Sequence, residues 1–389
     1  MNAQRKVTVS CATKFHSDYM AFQLQKSDLL AKVYTAHPKT RYLNRVAINP
    51  RKVVFLPPMF ALVYVINKIS AHLYKLGKLL EYKLPIVFDR MVASRLKNTD
   101  VLIVWAWAGL ASILKVKKQG GIVILEEVGS CNKFQNEILS QEYESLGLKF
   151  LTPTPEKIVT RELKEAENAD YILCPSAHVA QSFIINGFPK EKCVIIPFGV
   201  NMELFKPSNK QKGSFSIIMV GSIGVRKGLI YLFKALEILN TKHPVNCTLI
   251  GKVEHDFKPI FEKYCHLFQH IEQVPHHDLV KYYEQASVFV LPSLDEGMAY
   301  VQLEAMACGL PVICTPNSGG DSVIQNGIDG FIIPIRDPAS LADKIEILST
   351  NPDLLASMAT QAHQTASNFT WDKYGEKLTA FIHSLPNRN

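Results

Sequence analysis

At 389 residues the chain is longer than one hydrophobic core usually supports, so two domains are expected. Its 47% hydrophobic and 20% charged residues exclude a disordered polypeptide, and the most apolar run, residues 53–66, carries Pro57-Pro58 and is too short to span a bilayer as a helix. The net charge of +8 is uneven: residues 1–100 hold 17 Lys/Arg against 5 Asp/Glu and the remainder 26 against 30, which points to an anionic surface or substrate at the basic end.

Short β-branched runs alternate with amphipathic stretches, the pattern of an α/β protein with parallel sheets. In the first half, strands are predicted over residues 6–11, 101–104, 121–125, 171–174 and 194–196, with helices over 19–31 and 160–168 among them. A polar, Pro/Gly-punctuated piece, residues 197–213, reads as a linker. The alternation then restarts, with strands predicted over 215–220, 246–250, 271–274, 288–291, 311–314 and 330–333, and helices over 228–239, 277–285, 300–307 and 340–348. Two doubly wound, Rossmann-like domains would face one another across a cleft lined by strand C-termini, where ligands bind.

Eight scattered cysteines form no CxxC pair and read as free thiols, and no Asp-x-Asp pair at a strand end suggests a metal; neither a metal nor a cofactor is expected. No RNP, zinc-finger or KH pattern accompanies the basic charge, so nucleic acid is not an expected partner. The first ten residues lack an apolar leader core, and a cytoplasmic address is expected. Residues 60–80 space apolar positions helically among Lys68, Lys75 and Lys78. That stretch is either a core helix with a solvated face or a basic amphipathic helix on the inner face of an anionic membrane.

In the first half, Lys14 and His16 follow the first strand, with Ser17 or Asp18 as N-cap, and either face the cleft or lie on the surface. Trp105 and Trp107 follow the strand at 101–104 and serve either as sugar-stacking platforms or as core. His178 reads as an ordinary surface residue.

The strongest signal is Leu291-Pro-Ser-Leu-Asp-Glu-Gly-Met-Ala-Tyr-Val-Gln-Leu-Glu. A buried strand ends, Gly297 turns, and a helix starts near Ala299. The amides of Gly297, Met298, Ala299, Tyr300 and Val301 would offer a seat for a diphosphate. Glu296 could accept from sugar hydroxyls and Glu304 from a ribose diol; alternatively Glu296 caps the helix and Glu304 is solvated. In Met219-Val-Gly-Ser-Ile-Gly-Val-Arg-Lys-Gly, the strand ends at Gly221, and Arg226 and Lys227 sit at its C-terminal end. Two cations there either neutralise a diphosphate leaving group or are solvated charges at a helix start. Asn317-Ser-Gly-Gly-Asp forms a further loop at the cleft edge.

Glu296 and Glu304, separated by seven residues, resemble the EX7E signature of retaining glycosyltransferases with the GT-B fold, and the run 296–313 closely resembles glycosyltransferase family 4. The likeness also covers Pro197-Phe-Gly-Val-Asn, Gly251, Asn326-Gly-Ile-Asp-Gly-Phe and Asp337, and is much fainter in the first half. It implies a nucleotide-diphosphate sugar as donor and a glycan, a lipid-linked or a small-molecule hydroxyl as acceptor. It further implies an acceptor-side domain over 1–205, a donor-side domain over 206–370, and a last helix over 371–389 returning to the first domain. Glu296, Lys227 and Arg226 would be catalytic. Glu304, Gly221, Ser222 and the 297–301 amides would hold the donor. Family members often place an arginine where Ser222 stands, so Arg226 would supply the second cation. They often carry a histidine near the strand at 121–125, where this chain has Glu126, Glu127 and Ser130; Glu126 is the candidate there. A nucleotide-sugar epimerase, a phosphorylase of the same fold, or a non-catalytic sugar-nucleotide-binding scaffold are the rival readings.

Overall fold

The computed structural model describes residues 5–38, 43, 46–56, 65, 74–207, 213–241 and 244–386, and among these thirteen strands form two all-parallel sheets. The first sheet comprises β1 (Val7–Cys11), β2 (Leu30–Thr35), β3 (Val53–Phe55), β4 (Val101–Trp105), β5 (Ile122–Glu126), β6 (Tyr171–Cys174) and β7 (Cys193–Ile195), in the order β3-β2-β1-β4-β5-β6-β7. The second comprises β8 (Ser216–Val220), β9 (Asn246–Ile250), β10 (Gln269–Ile271), β11 (Val288–Leu291), β12 (Val312–Cys314) and β13 (Gly330–Ile332), in the order β10-β9-β8-β11-β12-β13. Both are doubly wound Rossmann-like sheets covered by helices. The runs Val-Leu-Ile-Val-Trp of β4 and Val-Phe-Val-Leu of β11 are buried along their length, as central parallel strands must be.

In each sheet the strand order reverses once, between β1 and β4 and between β8 and β11. Chains leaving the two strands at such a point diverge and open a crevice beyond their carboxyl ends. Loops 12–16 and 106–109 flank the first crevice, and loops 221–228 and 292–299 the second.

Three expectations are corrected. The helix predicted over 19–31 is Ser17–Lys26, and Leu30 and Ala31 already belong to β2, which the periodicity hid along with β3. Its N-cap is His16 rather than Ser17 or Asp18. The strand predicted over 271–274 is Gln269–Ile271, an edge strand whose polar start resembles a loop. The linker at 197–213 is described only to Lys206-Pro207 and from Gly213, and the amphipathic stretch at 60–80 lies largely outside the described residues. Among the described residues no helix is long and apolar enough to cross a membrane.

The last helix, Trp371–Ser384, packs on Ser17–Lys26. Trp371 stacks on Tyr19 at 4.2 Å between centroids, and Asp372 Oδ1 accepts from Gln23 Nε2 at 2.8 Å and Lys26 Nζ at 2.7 Å. Gly375 makes the approach possible, since a Cβ there would lie 2.5 Å from Gln23 Oε1.

The two domains also meet directly. Glu142, wholly buried at the first domain's helix Asn132–Ser145, accepts from Tyr231 Oη at 2.5 Å and Arg336 Nε at 2.6 Å of the second. Next to it, Tyr143 Oη donates to Asp256 Oδ2 at 2.5 Å.

Candidate active site

At the end of β8, Gly221 adopts φ 141° and its amide donates to Ile250 O. A turn, Val225–Lys227, follows and closes on Gly228 in the left-handed region, where any Cβ would strike Pro292 O at 2.0 Å. This turn throws Arg226 and Lys227 toward the loop after β11. Glu296 Oε1 lies 2.6 Å from Lys227 Nζ and 2.7 Å from Arg226 Nη1, and Arg226 also donates to Asp295 O. Burial alone would raise the Glu296 carboxyl, but the charges and hydrogen bonds of Lys227 and Arg226 outweigh it and hold the group below its ordinary value. Glu296 is therefore an anion clasped by two cations at the carboxyl end of the second sheet.

Glu304, expected beside them, lies in a different contact. Its Oε1 is 2.7 Å from His276 Nε2, and its Oε2 accepts from Tyr283 Oη at 3.4 Å. His276 is a partner that sequence reasoning missed, because it stands in a polar turn with no motif around it. Of the amides from Gly297 to Val301, that of Ala299 is taken up by Ser318 O at 3.3 Å, so it is not free for a ligand in this structure. The helix itself starts at Tyr300. Ser222 lies just past β8 at the mouth of the same crevice.

Gly297 serves a purpose the sequence did not disclose. A Cβ on it would fall 1.7 Å from Val128 O, so the donor-side loop presses backbone to backbone on the loop after β5. Ser176 Oγ donates to Gly297 O at 2.5 Å. Asp295 reaches across too, with Oδ2 accepting from Gln135 Nε2 at 2.7 Å and Oδ1 lying 2.9 Å from His178 Nε2. His178, expected on the surface, is thus buried at the domain junction; its partner Asp295, next to Glu296, was the only hint. Gly297→Ala is expected to lever these loops apart and lower turnover by tenfold or more, about 1.4 kcal/mol of lost positioning; unchanged steady-state rates would refute it.

In the first domain the crevice is a cavity of about 280 Å³ beyond β1, β4 and β5. Trp105, Trp107 and Glu126 line it, as do Glu127, Ser130 and Glu162. His16 and Lys14 do not open onto it. His16 is buried among Phe198, Trp105, Trp371 and Tyr374, and its Nε2 lies 2.9 Å from Glu126 Oε1. It positions Glu126 rather than facing the cleft. Lys14 Nζ pairs with Asp18 Oδ2 at 3.3 Å. Among the described residues the cavity lining has no Lys or Arg, while Lys39, Arg41, Arg45 and Lys68 of the basic end lie outside the described residues.

Three carboxylates at and behind this cavity, Glu162, Glu165 and Asp89, are held by helix starts. Glu165 Oε1 accepts from the amides of Gly109 and Leu110 at 3.0 Å, and Oε2 from that of Trp107 at 2.6 Å. Asp89 accepts from the amides of Ala111 and Ser112. Glu162 Oε2 accepts from the amide of Asn132 at 2.7 Å, and its Oε1 from the Asn132 side chain. Burial nevertheless pushes the Glu162 and Glu165 carboxyls up to about 7, against the lowering pull of these bonds. A group raised in this way binds a proton more tightly folded than unfolded. Its stabilisation is complete below the unfolded value near 4.5 and is lost as pH rises through 7. Glu165→Gln is therefore expected to flatten the fall in melting temperature between pH 5 and pH 8, read as the difference between variant and parent scans; identical slopes would rule it out.

Residues 200–365 match the family model described as glycosyl transferases group 1. The chain is 24% identical over 328 residues to D-inositol 3-phosphate glycosyltransferase 1 of Catenulispora acidiphila, covering 77% of each. Its fold matches sucrose-phosphate synthase of Thermosynechococcus elongatus with a TM-score of 0.67 at 16% identity, over 97% of this chain and 98% of that one. It also matches Anabaena HepE in complex with UDP with a TM-score of 0.67 at 15% identity, over 98% and 100%. The matched family model, the glycosyltransferases among its relatives and the shared architecture together show a glycosyltransferase of the GT-B fold, with residues 200–365 similar to the group 1 model.

Proposed function

We propose that the protein is a retaining, family 4-type glycosyltransferase. It takes a sugar from a nucleotide diphosphate held at the second sheet and passes it to an acceptor hydroxyl in the first domain's cavity. The division of labour follows the chain: residues 1–205 on the acceptor side, 206–370 on the donor side, and 371–389 returning to the first. The observation that carries this reading is the single Glu296 oxygen shared by Lys227 and Arg226 at the second switch point. An arriving diphosphate would take over the two cations, freeing Glu296 to accept from hydroxyls of the transferred sugar. The HepE structures in complex with UDP and with UDP-glucose support a nucleotide sugar as ligand of this architecture.

The acceptor oxygen bonds to the anomeric carbon on the face from which the diphosphate leaves. The bond from that carbon to the phosphate oxygen breaks, and the acceptor proton passes to the departing oxygen. Lys227 and Arg226 stabilise the charge that develops there. Glu304 would serve the ribose once His276 yields it.

A thermal-shift panel of nucleotides and nucleotide sugars tests the donor half. One nucleotide-diphosphate sugar at a hundred times its Kd should add about 2.7 kcal/mol of stability. No shift with any of them overturns the reading. The anomeric configuration of the product, read by NMR, tests retention, and an inverted product would discard it.

A further inference from the structure

The cavity in the first domain carries more information than its position. Four polar atoms in its wall, each almost wholly buried, have no hydrogen-bond partner among the described residues: Glu126 Oε2, Glu127 Oε1, Ser130 Oγ and Trp105 Nε1. Buried polar groups left unpaired cost about 1–3 kcal/mol each, so their persistence around a cavity marks the place of a ligand that satisfies them. The Glu126 and Glu127 oxygens can accept hydrogen bonds, Trp105 Nε1 donates, and Ser130 Oγ can do either. Trp105 and Trp107 add aromatic surface, and Trp107 is held at φ 70° with its indole Nε1 donating to Glu162 Oε1 at 3.4 Å. Such a wall suits a ring that presents hydroxyl donors and an apolar face.

The same wall is hostile to an anion. The two helix starts nearest the cavity, Leu110–Lys118 and Asn132–Ser145, are where a phosphate would ordinarily seat. Both are already occupied by the chain's own carboxylates, the first by Glu165 and Asp89, the second by Glu162. Arg161, a cation nearby, pairs with Asp89 and Glu165 at 2.8 and 3.0 Å. Burial, together with the charges of Glu162, Glu165 and Glu126, drives the Glu127 carboxyl well above its ordinary value, so a further negative charge would meet an environment that already resists one.

We infer that this cavity takes the acceptor as an uncharged, hydroxyl-bearing sugar ring, held by Glu126, Glu127 and Ser130 against Trp105 and Trp107, and that it rejects phosphorylated and carboxylated sugars. The inference rests on the glycosyltransferase reading and deepens it. It separates this chain's acceptor from the one named for its inositol-phosphate relative. The cavity also abuts the donor loop: Val128 in its wall touches Gly297, and Gln135 in its wall holds Asp295. A ring seated there lies against the turn that carries Glu296.

Saturation-transfer NMR on the full chain tests it, with methyl glycosides of glucose, galactose, mannose and N-acetylglucosamine beside glucose 6-phosphate, mannose 6-phosphate and glucuronate. At least one neutral glycoside should be saturated, with the charged sugars weaker by about tenfold or more. Glu127→Gln, which keeps the size of the side chain, should weaken the neutral glycoside by about tenfold. Charged sugars binding as well as neutral ones, no neutral glycoside binding, or binding indifferent to Glu127→Gln would each overturn the inference. Thermal shifts from nucleotides on the same samples report the second-domain site separately, so a preference for phosphosugars would sink this inference and leave the donor reading standing.

Discussion

Lys227→Ala is expected to lower kcat/KM by about two to three orders of magnitude, the cost of removing one preorganised donor from a developing oxyanion. Lys227 is 7% exposed and its Nζ lies 2.6 Å from Glu296. Nothing else in the described structure pairs with that ammonium, so its loss leaves Glu296 still clasped by Arg226 at 2.7 Å. The fold should therefore survive: the variant keeps its circular dichroism spectrum and melts within a few degrees of the parent. Wild-type turnover in this variant would strip Lys227 of its proposed role. Lys227→Arg is an informative companion, because the wider guanidinium fork cannot reach through the space beside Gly221, where Lys227 Cε lies 3.2 Å from the place a Cβ would occupy.

Glu142→Ala should be the most damaging change away from the crevices. Glu142 is wholly buried and bridges the domains, accepting from Tyr231 and Arg336 on the other side. Hydrogen bonds to a charged group contribute about 1.5–3 kcal/mol each. The Arg336 side chain keeps 34% of its surface in solvent, which softens its share, so a loss of about 3 kcal/mol is expected in total. The loss falls on the junction. A calorimetric scan should resolve the parent's transition into two as the domains melt separately. Glu142→Gln, which still accepts from Tyr231, should fall between. A Glu142→Ala scan that superimposes on the parent would reject the bridge as a source of stability.

The second domain was the more legible half. Its motif run contains a strand, a glycine turn and a helix in close succession, and β11 and the helix Tyr300–Ala307 stand where the sequence placed them. Arg226 and Lys227 were readable as cations at a strand end because the glycines around them announce the turn. The meeting of those cations on one oxygen of Glu296 was not readable, since it is a contact across two loops. In the first domain, β2 was hidden because the chain turns at Asp28 with φ 54°, a left-handed residue that is not glycine and gives no signal. Leu30-Ala-Lys-Val then continues the apolar spacing of the preceding helix. His16 and Glu126 were each singled out, yet their pairing spans 110 positions in sequence and only the fold brings them together. Glu162 and Glu165 carry no motif, and their burial against helix starts is something local pattern cannot place. His178 was misread for the same reason: its burial comes from Asp295 in the other domain.

The docking of Trp371–Ser384 onto the opening helix has a consequence for biosynthesis. Arg5 Nη1 also donates to Leu385 O at 2.7 Å and Nη2 to Pro386 O at 2.6 Å, so the earliest described residues are fastened by nearly the latest. On the ribosome the first domain emerges before residues 371–386 and must wait, with Tyr19 and its neighbours bare, until those residues have been translated. A recombinant fragment ending before the linker would keep that greasy face uncovered and should precipitate. Supplying residues 366–386 in trans as a peptide should restore it to solution.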